Sequence, residues 1–167
     1  MHSEALDFLR KITLNGPVVE FGSRNINGSA RDVFPGLEWI GVDIEDGPGV
    51  DVVADAAEYR PPRSVHFESV VCCEVLEHAE NWKSIIQNAA TLLSDTKEHY
   101  DDAGILVITC AGPGRQPHSA IDGGPLRPGE YYRNLSAAEI RAACLEAGFR
   151  GVFAEQSGYD TRAIAWM

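Results

Sequence analysis

Two short apolar runs, each ending in a carboxylate and the first followed by glycine, constrain this chain more than any other feature. Val18-Val19-Glu20-Phe21-Gly22-Ser23 is the first, and Trp39-Ile40-Gly41-Val42-Asp43 is the second. Strand, acid, glycine turn, helix, strand, acid is the order found in an open α/β sheet. Ligands in such sheets bind in the crevice beyond the carboxyl ends of the strands. Glycine lets the backbone turn tightly and come close to a ligand. The second carboxylate, roughly 20 residues on, is placed to accept both hydroxyls of a ribose. The layout is that of a site for an adenosine-bearing cofactor.

The rest of the chain continues the alternation. Apolar spacing predicts a helix over 3–13 behind a Ser3 cap. Asn15-Gly16-Pro17 ends it, and Pro17 to Phe21 reads as a buried parallel strand. Residues 27–34 fit a short helix stopped by Pro35-Gly36, with strands following at 37–42 and 50–53. Tyr59 to Arg63 is a polar, proline-rich loop. Ser69-Val70-Val71-Cys72-Cys73 is the strongest strand signal, and Asn81 to Leu93 follows as a helix. That helix carries Trp82, Ile85, Ile86, Ala89, Leu92 and Leu93 on one stripe. Gly104 to Thr109 is the next buried strand.

Residues 111–130 hold four prolines and five glycines, which marks a long loop of the kind used as a lid or binding element. Ser136-Ala137-Ala138-Glu139 is a capping box opening a helix that stops at Gly148. Val152–Glu155 and Thr161–Trp166 close the chain as two strands joined through Gln156-Ser157-Gly158. The fold class expected is α/β: a Rossmann-like, doubly wound, mostly parallel seven-stranded sheet with an antiparallel C-terminal edge strand. A chain of 167 residues fits one domain, 1–167, with 112–133 as its active-site loop.

Charge narrows the partners. The net charge is −11, whereas duplex nucleic acid is bound through basic faces that neutralise phosphates. Arg60, Arg63, Arg115, Arg127 and Arg133 are scattered rather than clustered. A small neutral or cationic substrate fits this balance better than nucleic acid. No apolar stretch reaches the roughly 18 residues that span a bilayer, and the first residues lack a basic, apolar leader, so a cytoplasmic location without membrane contact is expected. The four cysteines show no paired CxxC spacing, so buried reduced thiols are expected and no metal site is.

Five segments in order carry a family resemblance that covers most of the chain: Val18–Gly22, Val42-Asp43-Ile44, Asp55-Ala56, Ser69 through His78, and Gly104–Thr109. Together they resemble the class I S-adenosylmethionine-dependent methyltransferases. The Val75-Leu76-Glu77-His78 box, with a tryptophan-bearing helix behind it, is similar to the small methyltransferase type 11 group, as is Leu135-Ser136 leading to Ala147-Gly148-Phe149. One motif departs from the family. Arg24 and Ile26 hold the second and third places of Gly-x-Gly-x-Gly, and Asn27-Gly28-Ser29 comes just after.

The resemblance implies S-adenosyl-L-methionine as cofactor and methyl transfer to a small-molecule acceptor. It assigns Glu20 to the amino group of the methionine moiety, with Phe21, Gly22, Ser23 and Asn27 around that end. Asp43 takes the ribose diol with Ile44 beside it. Asp55 and Ala56 read the adenine, although Asp55 also fits an N-cap. Glu74 and Val75 pass the sulfonium. His78 and His118 are the candidate catalytic bases, with Tyr131 and Tyr132 near the acceptor. His2, His66 and His99 are expected at the surface. Two other classes stay open: a non-catalytic S-adenosylmethionine-binding protein, and a nicotinamide-dependent oxidoreductase using the same ribose acid.

Overall fold

β-Branched runs too apolar for a surface lie side by side in the middle of one sheet. The computed structural model describes residues 2–94 and 104–167. Its strands are β1 (Val18–Phe21), β2 (Trp39–Asp43), β3 (Val52–Val53), β4 (Ser69–Cys73), β5 (Ile105–Ala111), β6 (Gly151–Ser157) and β7 (Asp160–Trp166). They are ordered β3-β2-β1-β4-β5-β7-β6. β1 to β5 run parallel, and β7 is antiparallel to both β5 and β6. The expected C-terminal edge is therefore present as a hairpin, with β7 inside and β6 outermost. The order reverses between β1 and β4, which sets a ligand crevice beyond their carboxyl ends.

The period of two along each strand sends alternate side chains to opposite faces. Val19, Phe21, Val70, Cys72, Leu106 and Ile108 pack on one face against α2 (Trp82–Ser94) and α3 (Ala137–Glu146). Val18, Val71, Cys73 and Val107 face the other way, onto α1 (Ser3–Leu9). All six residues of the α2 stripe are buried. All four cysteines are free and buried, and burial pushes the Cys73 and Cys144 thiols up to about 12. Among the described residues, no helix is long and apolar enough to cross a membrane.

Local expectations needed adjustment at three places. α1 starts at Ser3 with His2 in the cap position, and neither side chain caps it. The helix expected over 27–34 contracts to a 3-10 turn, Ala30–Asp32, whose Arg31 N–H donates to Ser29 Oγ. Gly28 at φ 119 and Gly36 at φ 93 bracket it, and so few residues cannot offset helix nucleation. At the hairpin, Gln156 and Ser157 continue β6, and the turn is Gly158-Tyr159. Gly158 at φ 63 is the positive-φ first residue of a two-residue hairpin turn. His99 lies outside the described residues.

The capping box of α3 is complete: Ser136 Oγ accepts from the Glu139 N–H, and Glu139 Oε2 accepts from the Ser136 N–H at 2.9 Å. Ser136→Ala is expected to lower unfolding stability by about 1 kcal/mol, read as an earlier urea midpoint with an unchanged slope.

Candidate active site

A cavity of about 1350 Å³ opens beyond the carboxyl ends of the parallel strands. Pockets for one small ligand run to roughly 300–1,000 Å³, so two molecules fit side by side. Because β3, β2, β1, β4 and β5 are neighbours in that order, the groups at their ends form a row. Asp55, Asp43, Gly22, Glu74 and the loop after β5 follow one another along the crevice and all reach the cavity. At its centre, Gly22 has φ 74, and a Cβ there would lie 2.0 Å from Val75 Cγ2. Glycine is required both for the turn and for the close approach of β1 to β4.

The β2–β3 side holds a prepared polar set. Asp43 is half-buried; its Oδ2 accepts from the Arg24 N–H at 3.0 Å and its Oδ1 from the Glu45 N–H at 3.1 Å. Each oxygen keeps accepting capacity beyond one backbone bond. Beside it Ile44 is 72% exposed on the cavity wall, an apolar side chain that a flat ring would cover. Asp55 serves as a turn cap, its Oδ1 accepting from the Ala57 N–H at 2.8 Å and its Oδ2 from Asn81 Nδ2 at 3.3 Å. Ala56 is held from behind by Asn88, whose Nδ2 donates to the Ala56 carbonyl at 2.7 Å and the Tyr59 carbonyl at 3.1 Å. Sequence reasoning passed over Asn88. Its signal was a polar residue on the apolar stripe of α2, a position that needs partners when buried. Asn27 also reaches the cavity.

Glu20, Phe21 and Ser23 do not line the cavity. Phe21 is fully buried in the core, and the Gly22 and Ser23 N–H groups both donate to the Val42 carbonyl. Glu20 points to the α1 face, 3% exposed, with Arg31 Nε 3.7 Å from its Oε2. That oxygen has no hydrogen-bond partner. Burial pushes the Glu20 carboxyl up to about 7, against the pull of the Arg31 charge. Arg31 is turned aside by other acceptors, the Gly49 carbonyl at 2.9 Å and Asp51 at 2.6 Å.

The β4 end is more strained. Glu74 has φ 59, a left-handed backbone for a residue other than glycine, which costs about 1–3 kcal/mol and marks functional sites. Its N–H donates to the Thr109 carbonyl at 2.8 Å, its Oε1 accepts from Thr109 Oγ1 at 2.9 Å, and its Oε2 lies 3.0 Å from His2 Nε2. Burial raises the Glu74 carboxyl, but the His2 bond and charge, the Thr109 hydroxyl and Arg115 outweigh it and leave it lowered. His2, expected at the surface, is thus part of the site. α1 carries it over the end of β4, and its hydrogen bond to Glu74 raises its pKa. Asp160 completes this group, accepting from Arg115 Nη1. His66 is half-buried, away from the cavity lining.

After Glu74 the chain tightens into a 3-10 turn, Leu76–His78, which sends Glu77 inward and His78 to the cavity wall. Glu77 is fully buried; its Oε1 accepts from the Ala111 N–H at 3.0 Å and its Oε2 has no partner. Burial holds its carboxyl well above the usual range, and nearby Glu74 adds to this. Burial, then His118, push His78 down to about 4, so it is neutral at pH 7. The ring centroids of His78, His118 and Tyr132 lie 5.0, 5.1 and 5.5 Å apart in edge-on pairs. Residues 112–134 form the expected long loop. Leu135 N–H donates to the Ala111 carbonyl at 2.8 Å and closes its base, while Ser119 Oγ donates to Glu130 at 2.7 Å within it.

Neither a family model nor a curated protein matches the sequence. Solved structures do share the fold. The N-terminal domain of EvdMO1, solved in the presence of SAH and D-fucose, matches 99% of this chain and 82% of its own at 16% identity and a TM-score of 0.62. A Thermotoga maritima protein, described as a SAM-dependent methyltransferase and possible histamine N-methyltransferase, matches 97% and 87% at 14% identity and 0.67. A Burkholderia thailandensis 1,6-didemethyltoxoflavin-N1-methyltransferase, with 1,6-didemethyltoxoflavin and S-adenosylhomocysteine bound, matches 98% and 76% at 14% identity and 0.64. The chain has the class I methyltransferase fold.

The buried Glu20 carboxyl gives a pH signature. Its folded value of about 7 lies above the ordinary 4.5, so its contribution is fully present below pH 4.5 and is lost as pH rises through 7. The expected loss is roughly 3 kcal/mol. In urea titrations of ligand-free protein, Glu20→Gln should gain on the wild type by up to that amount at pH 8. Near pH 4.5 the gain should vanish; a pH-independent difference would reject this assignment.

Proposed function

We propose that this chain is an S-adenosylmethionine-dependent methyltransferase acting on a small-molecule acceptor. The observation that carries the reading is the row at the strand ends, Asp55 with Ala56, Asp43 with Ile44, then Gly22, in a crevice of a fold whose solved members hold SAH. The residues fit the cofactor. Both Asp43 oxygens keep accepting capacity for a ribose diol, and exposed Ile44 offers an apolar wall to the adenine. Asp55 serves the adenine amino group while it caps its turn. Glu20, with Oε2 unpartnered, is assigned the methionine amino group through an intervening water. Phe21 and Ser23 shape the turn rather than touch the ligand.

When bound, S-adenosylmethionine supplies a methyl group already activated by the sulfonium, ready for in-line displacement. The chain's own part is alignment, an advantage of about 7–11 kcal/mol when two reactants are held in attack geometry. Glu74 and Val75 form the wall between the two ends of the cavity. The 112–133 loop covers the acceptor end and limits water there. His78 and His118 stand on that side, where a hydroxyl acceptor has to lose its proton. The acidity of the chain supports a small neutral or cationic acceptor over nucleic acid. The single domain 1–167 and a cytoplasmic setting complete the proposal, the latter supported by four free thiols.

Three measurements test it. S-adenosylhomocysteine should raise the melting temperature and NAD should not, because a ligand of the native state stabilises it by mass action. No shift at millimolar S-adenosylhomocysteine would sink the proposal, and a shift with NAD alone would favour the oxidoreductase reading. Turnover in a methyl-release screen over metabolite pools separates an enzyme from a non-catalytic binder. Asp43→Ala should weaken S-adenosylhomocysteine at least tenfold by calorimetry, as loss of a charge-assisted hydrogen bond removes about 1.5–3 kcal/mol. Equal affinity in a folded variant would move the ribose elsewhere.

A further inference from the structure

Three side chains at the acceptor end hold lone pairs for which the described residues show no hydrogen-bond donor. One ligand-capable atom from each of Glu77, His78 and His118 falls within 4.8 Å of the others. Glu77 Oε2 is fully buried without a hydrogen-bond partner, and so is His78 Nδ1. Buried polar atoms left unpaired are rare and call for an explanation. We propose that Glu77, His78 and His118 bind one divalent transition-metal cation of the zinc type at the acceptor end of the cavity.

The surroundings of the three residues support this. Ligating side chains are ordinarily oriented by hydrogen bonds from their other polar atoms. Glu77 Oε1 accepts from the Ala111 N–H at 3.0 Å, which fixes the carboxylate with Oε2 turned away from that bond. His118 Nδ1 lies 3.2 Å from the Gln116 carbonyl, where it donates, and that tautomer leaves Nε2 as a lone pair. Tyr132 Oη donates to the same carbonyl at 3.3 Å, tying the backbone that holds His118. Two imidazoles and one carboxylate select zinc, iron or nickel over magnesium, calcium and manganese, which suit oxygen ligands. Bonds of 2.0–2.1 Å put tetrahedral ligand atoms roughly 3.3 Å apart. Binding therefore draws the group inward, and His118 on its loop makes that movement rather than core-packed Glu77.

His78 and His118 line the cavity, so the remaining coordination positions face the acceptor. A hydroxyl held there becomes more acidic, which would give the two histidines the work of ligands and the ion the work of a base. This role rests on the methyltransferase reading; binding of the ion does not.

The test uses the full chain, stripped with a chelator and titrated with Zn²⁺ by calorimetry. One equivalent should bind, and His78→Ala and His118→Ala, checked for fold by circular dichroism, should each weaken binding at least tenfold. His118→Ala should leave S-adenosylhomocysteine affinity within threefold of the wild type. No stoichiometric binding, or binding that both variants keep within threefold, overturns the proposal. Zn²⁺ binding lost in the variants of a protein that ignores S-adenosylhomocysteine would uphold the metal site and remove the methyltransferase reading.

Discussion

Carboxylates at the dry ends of parallel strands are the constraint on which the rest of the site depends. An ionised acid in an apolar setting is costly unless it is paired or hydrogen-bonded, and the row Asp43, Glu20, Glu74, Glu77 meets that demand in four ways. Asp43 is neutralised in part by two backbone N–H groups. Glu74 gathers a hydroxyl, an imidazole and a guanidinium. Glu20 has a distant arginine and the Ala30 backbone, and Glu77 has backbone N–H groups, its own and that of Ala111. The last two are therefore the acids with raised affinity for protons. They are also the two with an oxygen left unpaired. Each therefore keeps accepting capacity for a further donor.

The sheet and the groups at the ends of β1 and β2 were legible in the sequence because their signals are local. Ser69–Cys73 was read to the residue, since a β-branched run between polar turns has no competing fold. Asp43 and Gly22 announced themselves by position at strand ends. His2 and Asp160 did not. His2 reaches Glu74 only because α1 packs across the α1 face of the sheet, and Asp160 only because β7 inserts beside β5. The Arg115–Asp160 contact joins residues 45 positions apart and the His2–Glu74 contact residues more than 70 apart, and no periodicity encodes them. Arg115 sat in a loop already marked for function, yet its partners were set by the hairpin.

Departure from the glycine motif has a structural account in the same terms. A full helix after β1 would present its N-terminus to the crevice and supply its own dipole. Here the connection holds only the 3-10 turn at Ala30–Asp32, too short to do so. The segment is instead pinned by side chains: Arg24 through its N–H on Asp43, Asn25 through Oδ1 accepting from the Gly28 N–H at 2.9 Å, and Arg31 bridging to Gly49 and Asp51. Polar ties replace helix propagation. Gly41 allows this by its missing side chain, since a Cβ there would lie 2.1 Å from the Gly49 carbonyl oxygen.

The two ends of the crevice are consequently held by different means. At the β2–β3 end, order comes from short backbone turns and from Asn88 on α2, whose stripe is packed into the core. At the other end it comes from a closed loop whose ties are mostly its own: the Leu135–Ala111 bond at the base, Ser119 on Glu130, and the His78–His118–Tyr132 ring cluster. Edge-on ring pairs contribute about 0.5–1.5 kcal/mol each beyond their buried area. Contacts of that size are strong enough to set one resting position and weak enough to be exchanged for a ligand. A β2–β3 end fixed by the core therefore stands beside a loop end held by exchangeable contacts.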